Sequence, residues 1–191
     1  MSSHHIVREK QEPALLVLGL DDFPEELLGQ LLEWSPTVIT TPDTAEKLNM
    51  LGIKVDWVIS NNRDEGLVQS DVKLMVPGDN TLATTALNYL IANHYPAVNV
   101  IMDEPVLDEM QNYTGKIDLV IFQGDQKIYT VSSGFSKWKP AGEEIRVLNS
   151  TKALNYTGLE QTGPDSFRTV EDGFFTLSFE QPFLWLAEGL D

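Results

Sequence analysis

The apolar pattern of this chain changes period near residue 125, and that change limits the folds available to it. Upstream, short apolar runs alternate with segments that place apolar residues three and four positions apart. Downstream, only short alternating runs separated by turn residues are found. The pattern predicts an α/β domain over residues 1–125, with a mostly parallel sheet flanked by helices. A small all-β sandwich over residues 126–191 is predicted to follow.

In the first part, Ala14 to Leu20 is a continuous apolar run of the kind buried on both faces of a sheet. Pro24, Glu25 and Glu26 precede leucines at 27, 28, 31 and 32, which predicts a helix. Further strands are expected at 37–40, 56–60, 72–76, 97–102 and 117–122. A second helix is expected to start at Asp43 as its cap and to stop at Gly52. A third starts at Asp79 or Thr81 and carries Leu82, Ala86, Leu87 and Leu90. Residues 104–114 read as one weak helix. In the tail, strands are expected at 128–132, 143–148, 153–159, 174–179 and 183–187. A unit this short has a thin core, so it is expected to pack against the first domain or a second subunit.

Composition removes several function classes. A formal net charge of −16 repels nucleic acid, and no basic run offsets it. No apolar stretch is long enough to cross a membrane as a helix. The first twelve residues are polar, so export is not expected. The absence of cysteine excludes disulfides, thiolate metal sites and a cysteine nucleophile, and makes the cytoplasm the expected compartment. The arginines are Arg8, Arg63, Arg146 and Arg168 only, so a nucleotide site would concentrate scarce cations or recruit Mg²⁺ through carboxylates. His94 and the His4–His5 pair lack a second ligand at metal-binding spacing.

The loop after residue 60 contains Asn61, Asn62, Arg63 and Asp64. It falls at the carboxyl end of an expected parallel strand, where open α/β sheets bind ligands. It reads either as a phosphate or nucleotide site or as a polar turn. Asp79 and Thr81 either face a phosphate at a helix start or simply cap the helix. Asp103, Glu104 and Asp108 form a further acidic group after a strand. The aromatics Phe135, Trp138, Tyr156, Phe167 and Trp185 either line a cleft for a flat cationic ring or fill a small core.

Several of these segments resemble thiamine pyrophosphokinases. Leu51-Gly52-Ile53-Lys54-Val55-Asp56 is similar to the family's Leu-Gly-Ile-Lys-Pro-Asp segment. Asp22-Phe23-Pro24, the stretch from Asp79 and Thr81 into Ala86, Leu87 and Leu90, and Gly134-Phe135-Ser136 also fit its order. The resemblance implies diphosphate transfer from ATP to thiamine with Mg²⁺, carried out by clustered carboxylates. It implies a homodimer whose sites lie between one chain's α/β domain and the other's sandwich. By position, Asp43 and Asp64 are the candidate catalytic acids. Asn61, Asn62, Arg63, Asp79 and Thr81 are the nucleotide-binding candidates, and Phe135, Trp138, Thr169 and Glu171 the thiamine-binding candidates. No metal ligand set is assigned.

The departures are as specific as the matches. Pro42, Asp43 and Thr44 stand at the Asp-Gly-Gly position. Asn61 and Arg63 replace the two acids of Gly-Asp-x-Asp-Ser, and Leu82 replaces a helix-start Asp. Residues 103–108 lack the family's Gly-Gly-Arg-x-Asp-His. An asparagine offers Mg²⁺ a neutral oxygen without the charge, so efficient catalysis is not expected. Three roles remain open: a pyrophosphokinase with displaced acids, a non-catalytic thiamine- or nucleotide-binding protein, and a structural or partner-binding protein.

Overall fold

The computed structural model describes residues 12–62, 69–149 and 153–190. The chain divides into two compact units, Met1–Gly124 and Asp125–Asp191.

Among the described residues, the first unit holds six parallel strands: β1 (Ala14–Val17), β2 (Val38–Thr40), β3 (Trp57–Ile59), β4 (Lys73–Met75), β5 (Ala97–Ile101) and β6 (Asp118–Gln123). They lie in the order β6-β5-β1-β2-β3-β4. All four residues of the central β1 are buried, as an apolar run covered on both faces requires. The helices are α1 (Glu25–Leu32), α2 (Pro42–Met50), α3 (Leu82–Ala92) and the short α4 (Leu107–Met110), which runs into a 3₁₀ turn at Gln111–Tyr113. Ala45 and Leu48 of α2, with Ala86, Leu87 and Leu90 of α3, are fully buried. Among the described residues, no helix is long and apolar enough to cross a membrane.

Local chemistry explains the boundaries. Thr41, not Asp43, caps α2: its hydroxyl accepts the Thr44 N–H at 3.4 Å, and Pro42 takes the first helical position. Asp43 stands exposed in the first turn instead. Thr81 caps α3 by accepting from Thr84 N–H at 3.0 Å. The segment Leu51 to Asp56, which carries much of the sequence resemblance, is structural. Gly52 closes α2 in the left-handed region (φ 72°), with Ile53 N–H donating to Leu48 O. The Asp56 carboxylate then accepts the Val38 N–H at 2.9 Å and ties β2 to β3.

The second unit is a sandwich of antiparallel strands. One sheet has the order β11-β12-β9-β14-β7, formed by β7 (Gln126–Val131), β9 (Glu144–Val147), β11 (Leu159–Gln161), β12 (Ser166–Thr169) and β14 (Leu184–Gly189). The other has the order β10-β13-β8, formed by β8 (Phe135–Lys139), β10 (Asn155–Thr157) and β13 (Gly173–Ser178). Val131, Ile145, Phe167, Phe175, Leu177, Leu184 and Leu186 form the core between them. The single strand expected over 153–159 is two strands in different sheets. Gly158 separates them with φ 72°, and a Cβ there would stand 2.8 Å from Phe174 O. Strands β8 and β12 are additional to the sequence expectation.

Candidate functional site

The carboxyl ends of β1 and β5 and the start of α2 bring together acids that the sequence does not show as a group. Asp21 follows β1, Asp103 follows β5, and Asp43 opens α2. Gly19 makes room for this arrangement: a Cβ at residue 19 would lie 2.1 Å from Asp103 Oδ2. The Asp103 carboxylate accepts the Asp21 N–H at 3.2 Å. Lys47, one turn into α2, reaches back and places Nζ 2.5 Å from Asp21 Oδ1. The hydrogen bond and charge of Asp21 raise the Lys47 pKa above its ordinary value, with smaller contributions from Asp103 and Asp43. A lysine ammonium therefore stands where clustered carboxylates would otherwise attract a free cation.

A second feature lies at the start of α3. The Thr81 and Thr84 hydroxyls both donate to Glu109 Oε1, the latter at 2.7 Å. An internal carboxylate thus takes the place at this helix start that a phosphate would seek. Asp79 is exposed nearby in sequence. After β3, Ser60 is buried and its hydroxyl accepts the Asn62 N–H at 3.0 Å, while Asn61 and Asn62 are exposed. Arg63 and Asp64 lie outside the described residues.

The tail candidates divide. Phe135 turns inward, with its ring centroid 5.8 Å from that of Phe175 and 6.3 Å from that of Tyr129. It belongs to the core, as do the buried Phe167 and Trp185, so the aromatics do not gather in one cleft. Trp138 faces outward and is 52% exposed. Its cross-strand partner is Phe174, 67% exposed, and Val170 is exposed as well. The buried Thr169 anchors this edge: its hydroxyl donates to Pro140 O at 2.6 Å and accepts the Glu143 N–H at 2.8 Å. Glu171 is exposed. The structure therefore pairs Trp138 with Phe174 across β8 and β13, whereas Thr169 lies on β12 of the other sheet and bonds the turn after β8. The alternation of Phe175, Leu177 and Phe179 on the buried face already implies that residue 174 faces solvent. Lys47 and Glu109 carried no comparable sequence signal.

Among the described residues, no group of three or more acids or histidines is arranged to hold a divalent metal, and Asp21 at the sheet edge already pairs with Lys47.

No protein-family model and no curated protein matches the chain. Its fold matches solved thiamine pyrophosphokinases. The enzyme from Bacillus subtilis superposes with a TM-score of 0.70 at 14% identity, over 94% of this chain and 100% of that one. The Geobacillus thermodenitrificans enzyme gives 0.65 at 11% identity, over 93% and 98%. The yeast enzyme gives 0.58 at 11% identity, over 97% and 88%. The fold class expected from the sequence, an α/β sheet followed by a β-sandwich, is thus the fold of these enzymes.

Proposed function

We propose that this chain is a small-molecule-binding protein built on the thiamine pyrophosphokinase fold, without efficient diphosphate transfer. The observation that carries the reading is the Lys47–Asp21 ion pair amid Asp43 and Asp103. Diphosphate transfer from ATP needs bridging Mg²⁺, held by carboxylates. Here a tethered ammonium compensates the carboxylates that the fold brings to the sheet edge. The replacement of loop acids by Asn61 and Arg63 points the same way.

The ligand that suits the exposed chemistry of the second unit is a flat cationic heterocycle of the thiamine type. Trp138 and Phe174 offer aromatic faces for stacking and cation–π contact, and Glu171, three residues before Phe174 in sequence, is an exposed negative charge. The net charge of −16 favours a cation over long range. A nucleotide at Asn61, Asn62, Asp79 and Thr81 is the second reading; Glu109 at Thr81 weighs against it. The homodimer implied by the fold family belongs to the proposal, and sedimentation of the purified protein tests it.

The deciding experiment combines thermal-shift titration with a turnover assay. Thiamine or its diphosphate is expected to raise the melting temperature, because a ligand of the native state stabilises it. Mg²⁺–ATP with thiamine is expected to yield no thiamine diphosphate above background. Product formation that scales with protein and disappears in Asp64→Ala would overturn the reading. So would the absence of any shift with thiamine compounds.

A further inference from the structure

The two sheets of the sandwich carry opposite chemistry on their outer faces. On the sheet that holds β9, β11 and β12, Ile145, Val147, Leu159 and Phe167 turn inward, so Glu144, Arg146, Glu160 and Arg168 face out. Register sets Glu160 beside Arg168 and Arg168 beside Glu144, and Arg168 Nη2 stands 3.0 Å from Glu144 Oε1. That face is a charged ladder.

On the other sheet, Phe135, Tyr156, Phe175 and Leu177 turn inward. The outward positions are Ser136 and Trp138 of β8, Asn155 and Thr157 of β10, and Phe174, Thr176 and Ser178 of β13. None of these is charged. Register stacks them in rows: Trp138 beside Phe174, Ser136 beside Thr176 and Thr157, and Ser178 beside Asn155. The Thr157 and Thr176 hydroxyls are 2.7 Å apart. An aromatic platform thus borders a strip of hydroxyl and amide groups. Burial does not account for the missing charge, because Trp138, Phe174 and Ser136 are all exposed. The β8 lysines lie on its opposite face, where Lys137 pairs with Glu188 and Lys139 is buried.

Size argues for a small occupant and against a second copy of the chain. Three strands about 4.8 Å apart, rising about 3.4 Å per residue, make a face of about 300 Å². A stable protein interface takes about 800 Å² from each partner.

We propose that this face binds a small cationic ring bearing an uncharged, hydroxylated substituent, and that it discriminates against the phosphate esters of that ligand. The proposal rests on the thiamine reading and adds to it the form of the ligand, the free alcohol. The ring stacks on Trp138 and Phe174. The substituent lies along Ser136 and Thr176, whose hydroxyls can both donate and accept. A phosphate in that place meets no cation at any outward position of the three strands. Each phosphate also brings about −1.5 to −2 charges into the field of an acidic protein.

The test is calorimetric titration of the whole protein with thiamine, thiamine monophosphate and thiamine diphosphate, without Mg²⁺. The diphosphate is expected to bind at least about tenfold more weakly than thiamine at low ionic strength, with the monophosphate between them. Raising the salt to about 0.5 M is expected to narrow the gap, because screening shortens the repulsion. Ser136→Lys changes an exposed position and leaves the core intact. Its ammonium, one row from the platform, is expected to bring the diphosphate to within about threefold of thiamine. Equal or tighter binding of the diphosphate by the wild type overturns the proposal and leaves the thiamine reading standing. A penalty that neither salt nor Ser136→Lys reduces also overturns it. Failure of thiamine itself to bind overturns both. A sedimentation mass that falls in Ser136→Lys assigns the face to a second copy and overturns the proposal.

Discussion

The carboxylate of Asp103 occupies the space that a side chain at Gly19 would need, with 2.1 Å between Oδ2 and the Cβ position. Gly19→Ala must therefore push Asp103 aside and break its bond from the Asp21 N–H. Asp103 is exposed and its carboxylate can swing into solvent, so the cost is about 1 kcal/mol at most, the net worth of the hydrogen bond that breaks. Urea denaturation of Gly19→Ala is expected to show that loss. Asp103→Gly in the same background is expected to recover most of it, and a wild-type midpoint for Gly19→Ala alone would contradict the geometry.

Removing the ammonium from the sheet edge tests what the acids do without it. Lys47→Ala is expected to increase the affinity of this region for Mn²⁺ severalfold. Paramagnetic broadening of the Asp21 and Asp103 amide resonances measures the effect. Identical broadening in the wild type and the variant would mean that Lys47 does not guard the carboxylates.

Alkaline pH isolates Tyr129. Burial first, and the Glu188 carboxylate second, push its phenol far above the ordinary 10.0. The native state thus keeps the proton that the unfolded state loses. The associated stability is fully present below about pH 10 and falls as the pH rises further. Tyr129→Phe removes this component, so its stability is expected to decline less steeply, by at most about 1 kcal/mol between about pH 10 and pH 11. Parallel urea titrations of the two proteins give the difference directly.

Trp138 separates binding from folding. Its exposure means that Trp138→Ala is expected to change stability by no more than about 0.5 kcal/mol. Loss of its ring is expected to weaken thiamine binding by about 0.5–2 kcal/mol, or about two- to thirtyfold. Calorimetric titration of the folded variant with thiamine reads this out. Undiminished affinity would move the ligand away from β8.

The strands of the parallel sheet were legible because burial on both faces writes continuous apolar runs, as at Ala14–Val17. The three long helices were legible through Pro24, the stop at Gly52 and the cap Thr81, although α2 is capped by Thr41 and not by the expected Asp43. Strand β8 was not legible for a physical reason. Its inward positions 137 and 139 are lysines, which a hydrophobicity pattern assigns to solvent. Short β12 likewise alternates Ser166 and Arg168 with only two buried residues. At the candidate sites, Thr81 followed from local capping rules, whereas Asp43 and Asp79 do not cap, because Thr41 takes that place at α2 and Thr81 at α3. Lys47 and Glu109 were not legible, because their roles depend on tertiary proximity to Asp21 and to Thr81. Arg63 and Asp64, which the resemblance makes central, fall outside the described residues.

Glu109 bears on any anion that approaches the amino end of α3. Its carboxylate already holds the hydroxyls of Thr81 and Thr84. Binding there is consequently an exchange between a tethered anion and a free one, and only the difference in their affinities is available to the newcomer. The tethered anion competes at a fixed effective concentration whatever the dose of ligand. The helix end thus behaves as a site with a built-in competitor, selective for anions able to displace a carboxylate and silent towards those that cannot.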